Sequence, residues 1–382
     1  MSAYLDLSVI YGSDDGRARM LRAGRHGMLR RDPDANLPFN DDQIPNLNLL
    51  GAPRERLLVS GDTRVNVQPG LIALHTLFAR EHNKVCDELQ THSFMRDADD
   101  ESLYQTARTM TRAKWQAIVW YEFLPTVIGA GEFQNLGDYR GYNSSVELRI
   151  FNEFATTAFR YGHSQIGNTL HRFDTNWKTL KQGHLNLRDA YFNPGRILNE
   201  AGIEALIRGM LVKEAQNVDT QFVDGVRNFL FGTNTQGLDL VSYGIQRGRD
   251  HGIPDYNTVR KVLGLSVKKS FTEITTNKAV QDKLQFLYKN INDVDLWIGG
   301  LAEPHVEGGC VGETFARIIG KQFDVLRSGD RFWFENPDID TLFGRLRGYA
   351  ETRLGDILKR NTGIEWPGSA FHAHPWKMYT EK

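Results

Sequence analysis

Residues 154–167 read FATTAFRYGHSQIG, and this stretch decides how the rest of the chain is read. Upstream of it, Ile150, Phe151, Phe154, Ala158 and Tyr161 recur at three- and four-residue steps. That spacing predicts a helix over 147–161 with one apolar face, running directly into Gly162-His163. A lone histidine at the end of an apolar helix is, on general grounds, more often a packed or capping residue than a ligand. Its setting also allows another role. The approach face is wholly apolar, Gly162 lets a flat group come close, and Arg160 lies one turn back. A haem needs a neutral imidazole for its iron, an apolar wall for its ring and cations for its carboxylates. The residues alone leave both readings open.

The surroundings predict a mainly helical chain. Residues 71–90 place Leu71, Leu74, Phe78, Val85 and Leu89 on one stripe, with His82 on it and Pro69-Gly70 at the start. Residues 103–124 are apolar nearly all round and end at Pro125, as expected of a central buried helix. Shorter helical patterns cover 201–215, 218–231, 254–263, 279–292 and 311–326, whereas strand-like alternation is scarce. No linker, repeat or shift of composition divides the 382 residues, so one large α-rich domain over 1–382 is expected.

Composition excludes more than it assigns. Forty-six basic against 47 acidic residues give a net charge of −1, which favours neither a nucleic-acid nor a membrane-surface partner. The arginines between Arg17 and Arg31 have no interleaved aromatic residues to stack on bases and read as a solvated basic loop. No run is long and apolar enough to span a membrane, and no signal peptide is encoded at the N-terminus. Cys86 and Cys310 form no metal-binding spacing; they read as two thiols or a single bridge, with thiols favoured. HExxH, Walker, GxSxG and EF-hand motifs are all missing.

Three further segments carry candidate chemistry. In IQRGRDHGIPDYN (245–257), Arg247, Arg249, Asp250 and His251 surround a glycine in what reads as a charged turn. Either Asp250 neutralises Arg249 there, or one arginine is sent to an anionic ligand through its planar fork. Arg64, in Gly61-Asp62-Thr63-Arg64, taken alone reads as a surface charge. In an extended N-terminal segment, Ser2, Asp6 and Ser8 would share one side, where oxygens suit a hard cation such as Ca²⁺. A half-buried strand explains the same pattern.

In order, YLDLSVIYGS, GDTR, HTLFAREHN, FRYGHSQI, IQRGRDHGIPDYN, DVDLWIGGLAEP and GDRFWFEN, followed by RNTGIEW, resemble the animal haem peroxidases across the whole chain. The resemblance implies a mainly α fold with little β. It also implies haem b as cofactor and oxidation of a small electron donor by hydrogen peroxide at the haem iron. His163 matches the proximal iron ligand and Arg64 the distal catalytic arginine, while Arg160 and Arg247 match arginines near the propionates. Ser2, Tyr4 through its carbonyl, Asp6 and Ser8 match a Ca²⁺ loop. An extracellular location and roles in oxidative stress, host defence or matrix cross-linking follow by analogy. No protein partner is implied.

The departures shape the expectation as strongly. The family's distal histidine and a further Ca²⁺-binding aspartate lie upstream of YLDLSVIYGS, so an N-terminally truncated domain is expected. His75 and His82 match positions with no distal role. Loss of a general base typically costs about 10²–10⁴-fold in rate. The alternative is therefore a catalytically impaired haem-binding or peroxinectin-like adhesion protein, a fragment of a longer peroxidase. Gly244 stands where the family usually has an asparagine that accepts the proximal imidazole N–H. Val67 and Gln68 cannot form the ester and sulfonium links of mammalian members. Arg160, at the cyclooxygenase radical-tyrosine position, argues against prostaglandin-type chemistry.

Overall fold

The computed structural model describes residues 2–33, 37–232, 237–339, 351–367 and 369–372; the remaining parts of the expected 1–382 domain lie outside the described residues. The chain forms two compact units: Met1–Val119, Thr169–Glu214 and Phe332–Ala370 make the first, and Trp120–Asn168, Ala215–Arg331 and Phe371–Lys382 the second. Because the backbone passes between the units repeatedly, no composition shift along the sequence could mark a boundary. Helix dominates both. Among the described residues the only paired strands are Thr169–Leu170 and Leu185–Asn186, antiparallel with Thr169 opposite Asn186.

The first unit is organised on the helix Pro69–Thr91. Pro69 begins it and the Gln68 side chain accepts the Gly70 N–H, so the orphan amides of the first turn are partly met. It packs on the helices Asp100–Ile118, Gly202–Val212 and Leu354–Thr362. The burial pattern is wider than the single stripe expected: Leu74 is exposed, whereas Ile72, His75, Thr76, Phe78, His82, Val85 and Cys86 are all buried. Contacts on several sides leave this helix only a narrow wet edge. Its one fully buried carboxylate, Glu81, takes Lys114 Nζ at 2.6 Å, Arg360 Nε at 3.0 Å and Asn361 Nδ2 at 2.7 Å. Such a charge is tolerated only because it is paired on every side. Arg17 is buried rather than solvated, donating to Ser60 O, Pro45 O and Asn46 Oδ1.

In the second unit Glu313–Gly329 runs past the short helices Leu124–Ile128, Ala130–Gln134 and Asn152–Thr156. Three expected helices come out differently. The 103–124 helix is Asp100–Ile118, followed by a π-turn over Val119–Phe123; Pro125 then sits in the first turn of a new helix, where it needs no N–H. Only Asp224–Arg227 of 218–231 is helical. Of 147–161, only Asn152–Thr156 is α-helical, and Ala158–His163 is a 3₁₀ stretch. Cys86 and Cys310 are both free thiols.

His82 makes the first unit sensitive to acid. It accepts from Tyr11 OH at Nδ1 (3.0 Å) and its Nε2 lies 2.9 Å from Gly27 O, a pattern met by a neutral ring with its proton on Nε2. Burial pushes its pKa down to about 4. The unfolded chain, titrating near 6.5, therefore binds the proton more readily than the folded one. Stability is full above about pH 6.5 and falls as pH drops towards 4, by roughly 3 kcal/mol from this group. Melting experiments between pH 7 and pH 4 should show this loss, and His82→Asn should flatten the profile; equal pH slopes for both proteins would contradict it.

Candidate functional site

His163 is set by a turn with little freedom. Phe154 and Phe159 stack at 4.5 Å and Phe323 lies 6.2 and 6.0 Å from them, so an aromatic cluster anchors the segment that leads into His163. Just beyond, Ser164 Oγ donates to Asp219 O (2.8 Å) and Asn217 O (3.0 Å) and accepts from Asp219 N (2.9 Å), pinning the chain as it leaves the site. The imidazole meets the edge of Trp297, centroids 6.4 Å apart at 87°. Its Nδ1 is buried without a hydrogen-bond partner, which leaves Nε2 as the accessible nitrogen. Burial, then the charge of Arg160, brings its pKa down to about 4, so the ring is neutral at pH 7. Beside it, a Cβ on Gly162 would meet nothing within 4 Å.

Two cations share this neighbourhood. Arg160 is half-buried, donates Nε to Ala155 O at 3.1 Å and has no carboxylate partner among the described residues. Arg247 lies on the helix Leu240–Asp250, capped by Asp239, and likewise pairs with no carboxylate among the described residues. Burial and then the charge of Arg247 lower the pKa of Arg160. Gly248 brings the two segments together, its missing Cβ only 3.8 Å from Thr157 Cγ2. Like charges left unneutralised beside a neutral imidazole are an arrangement suited to an anionic ligand.

The segment read as a charged turn is thus the end of a helix. Arg249 is not neutralised by Asp250: its fork holds Asp295, Nε to Oδ1 at 3.0 Å and Nη2 to Oδ2 at 2.7 Å, and Tyr288 OH adds 2.7 Å to the same carboxylate. Adjacent helical residues point about 100° apart, so Arg249 and Asp250 cannot face each other. Asp250 instead accepts from Gln246 at 2.8 Å, one turn away. His251 is exposed and bonds Asn152.

Arg64 and the N-terminal oxygens belong to the first unit. Arg64 forks onto Asp62, Nε–Oδ1 3.0 Å and Nη2–Oδ2 2.8 Å, with 58% of its side chain exposed. Burial alone would raise the Asp62 pKa, but the hydrogen bonds from Arg64 outweigh it and hold the carboxyl below its usual range. The N-terminal segment is curled, not extended as expected. Ser2 N reaches Ser8 Oγ at 3.4 Å, Tyr4 N reaches Ser2 Oγ at 3.0 Å, and Ser8 N donates to Asp6 Oδ1 at 2.8 Å. A buried Leu7 in the left-handed region (φ 57°) makes that curl, and Ser8 begins a helical turn. His75 and His82 are both buried in the first unit's long helix.

Residues 1–371 match the family described as animal haem peroxidase. The chain belongs to the animal haem peroxidase family. It is 38% identical to peroxinectin A of Dictyostelium discoideum over 95% of its own length, and 36% identical to pig (Sus scrofa) thyroid peroxidase over 100%. The solved structure of Dictyostelium peroxidase A superposes with a TM-score of 0.89 at 36% identity, covering 97% of this chain and 71% of that one. The fold is shared with a fatty acid alpha-dioxygenase of Arabidopsis thaliana at 22% identity, TM-score 0.80. The chain spans less than two thirds of its curated relatives, 66% of peroxinectin A and 43% of thyroid peroxidase.

Membership of the haem peroxidases implies haem, and the residues around His163 fit one. The imidazole with its buried, unpartnered Nδ1, the open space at Gly162 and two arginines without carboxylate partners among the described residues would offer a nitrogen for the iron, room for a flat ring and charge for its carboxylates. Sequence reasoning missed Asp295 and Trp297 as neighbours of this site, although both lie in DVDLWIGGLAEP. A charged hydrogen bond to a carboxylate contributes about 1.5–3 kcal/mol. Arg247→Ala should therefore weaken haem affinity by roughly ten- to a hundredfold in a titration, and Arg249→Ala should leave it nearly unchanged. Equal losses would show that both arginines serve the same carboxylates.

Proposed function

We propose that this peroxidase-family chain binds haem b through His163 and oxidises a small electron donor with hydrogen peroxide. The observation that carries the proposal is a neutral imidazole with Nδ1 buried, beside Arg160 and, through it, Arg247, neither of which has a carboxylate partner among the described residues. The chemistry supplied by bound haem is electron transfer to peroxide and from the donor. His163 would present Nε2 in neutral form, its Nδ1 being buried and its ring packed on Trp297. Arg160 and Arg247 hold the propionates by charge. By family likeness Arg64 would lend a permanent positive charge to peroxide oxygen, and a guanidinium cannot accept a proton. Its fork on Asp62 sets its direction.

Ca²⁺ at Ser2, the Tyr4 carbonyl, Asp6 and Ser8 belongs to the same proposal, supported by the curl that brings Ser2, Asp6 and Ser8 together. Four oxygens with one carboxylate fall short of the six to eight that Ca²⁺ prefers, so weak binding is expected unless other groups join. Among the described residues no helix is long and apolar enough to cross a membrane. The extracellular location, and any part in oxidative stress, host defence or matrix cross-linking, rest on family likeness.

His163→Ala should abolish the Soret band of the haem-loaded protein, and His251→Ala should preserve it. Arg64→Ala should keep the Soret band yet slow peroxide turnover by about a hundredfold, the scale of one lost charge-stabilising donor. Equal Soret losses from both histidine variants would remove His163 as axial ligand.

A further inference from the structure

The imidazole of His163 is gripped on one side without being hydrogen-bonded there. Once Nε2 binds a metal the ring proton resides on Nδ1, and Nδ1 is buried with no partner. Its neighbour Trp297 has a buried, unpartnered indole Nε1 as well. Neither of these two N–H donors has an acceptor among the described residues. The family resemblance puts an acceptor side chain at residue 244, where this chain has glycine, and the space a side chain would need there is taken. A Cβ on Gly244 would stand 2.4 Å from Cζ3 and 2.8 Å from Cη2 of Trp297, distances that real side chains do not adopt.

The indole has no way to retreat. Trp297 is 1% exposed and packs on Phe222 with centroids 5.5 Å apart. Its helix, Leu296–Ala302, is pressed onto the core through two glycines. A Cβ on Gly299 would lie 2.4 Å from Tyr256, and one on Gly300 would lie 2.1 Å from Phe315. The absence of a side chain at 244 and the position of the indole are thus two halves of one packing solution.

We propose that Trp297 is the positioning residue for the His163 imidazole, filling the place left by Gly244 and orienting the ring by edge-to-face packing while its Nδ1–H has no acceptor. The proposal rests on His163 being the axial ligand. Edge-on aromatic contact fixes the plane of the ring. It does not draw the Nδ1 proton away, which is how an outer carbonyl or carboxylate raises the basicity of a ligating histidine. Orientation is retained and basicity is not, so ferrous iron is favoured relative to a ring with an acceptor.

The test restores an acceptor. Gly244→Asn brings an amide oxygen under the ring but collides with Trp297; Trp297→Leu clears the space; the double variant combines them. In cofactor-free protein each single change should lower the Tm by several degrees, and the double variant should recover much of the loss, because the two side chains compete for one volume. If Gly244→Asn alone fails to fold, recovery of a folded protein with Trp297→Leu reads the same coupling. In haem-loaded protein the double variant should favour the ferric state by about ten- to a hundredfold, a fall in midpoint potential of roughly 60–120 mV at about 59 mV per tenfold. Its ferrous iron–imidazole stretch should rise in resonance Raman spectra. Additive melting losses would overturn the claim that Trp297 occupies the place of residue 244. An unchanged potential and stretch would overturn the claim that Nδ1 lacks an acceptor. A His163→Ala protein with the wild-type Soret band would instead remove the ligand assignment and leave the melting result standing.

Discussion

The desolvation of a single imidazole governs the second unit. A histidine in water titrates near 6.5 and carries its charge half the time at that pH; His163, with its pKa brought down to about 4, is a neutral ring throughout the physiological range. That state needs the ring withdrawn from water, and the buried Trp297 covers one side of it. It also needs the nearby charges to be positive, since a carboxylate beside the ring would draw the proton back. Arg160 and Arg247 meet that condition, and their mutual repulsion stays uncompensated until an anion arrives. The same arrangement that keeps the ring neutral thus prepares the site for a dianionic ligand.

Much of this was legible in the sequence where local rules decide. Pro69–Thr91 and Glu313–Gly329 follow from apolar periodicity bounded by Pro and Gly, and the structure places them within a few residues of expectation. His163, Arg160 and Arg247 could be singled out because their chemistry lies in short runs. The failures have a common cause. Residues 245–257 read as a charged turn because their charges cluster around glycine, yet 245–250 are the last turns of the helix Leu240–Asp250. The 147–161 helix breaks at Thr157, where tertiary contacts override the 3.6-residue rhythm. Arg249 finds Asp295, 46 residues away, and no neighbouring-residue rule could have supplied that partner.

Family likeness and packing also constrain one another. With 38% identity to peroxinectin A and a TM-score of 0.89 to Dictyostelium peroxidase A, the backbone is shared, yet residue 244 carries no side chain and Trp297 occupies its volume. Interiors are packed to crystal density, so an empty position in a core is filled by whatever neighbour can reach it. Gly244 is therefore not a neutral loss of one side chain. It leaves room for the indole of Trp297, and residues matched one by one to a family motif do not reveal that change.

In the first unit a comparable economy of space joins the curled N-terminal loop to Arg64. A Cβ on Gly61 would lie 2.1 Å from Ser8 O and 2.4 Å from Gly12 N, so only glycine lets the GDTR turn sit against Ser8–Tyr11. That approach allows Asp62 N to donate to Val9 O at 2.8 Å and Ser60 Oγ to reach the same carbonyl at 2.9 Å. Asp62 in turn forks Arg64. From Asp6, which accepts Ser8 N, to the guanidinium there is an unbroken chain of short, directional contacts. Leu7 holds a left-handed backbone within it, a strained conformation that persists only where the surroundings over-determine it. A cation drawing on Ser2, Tyr4, Asp6 and Ser8 would reinforce that conformation, and the direction of Arg64 would follow through Gly61 and Asp62 with no contact between metal and arginine.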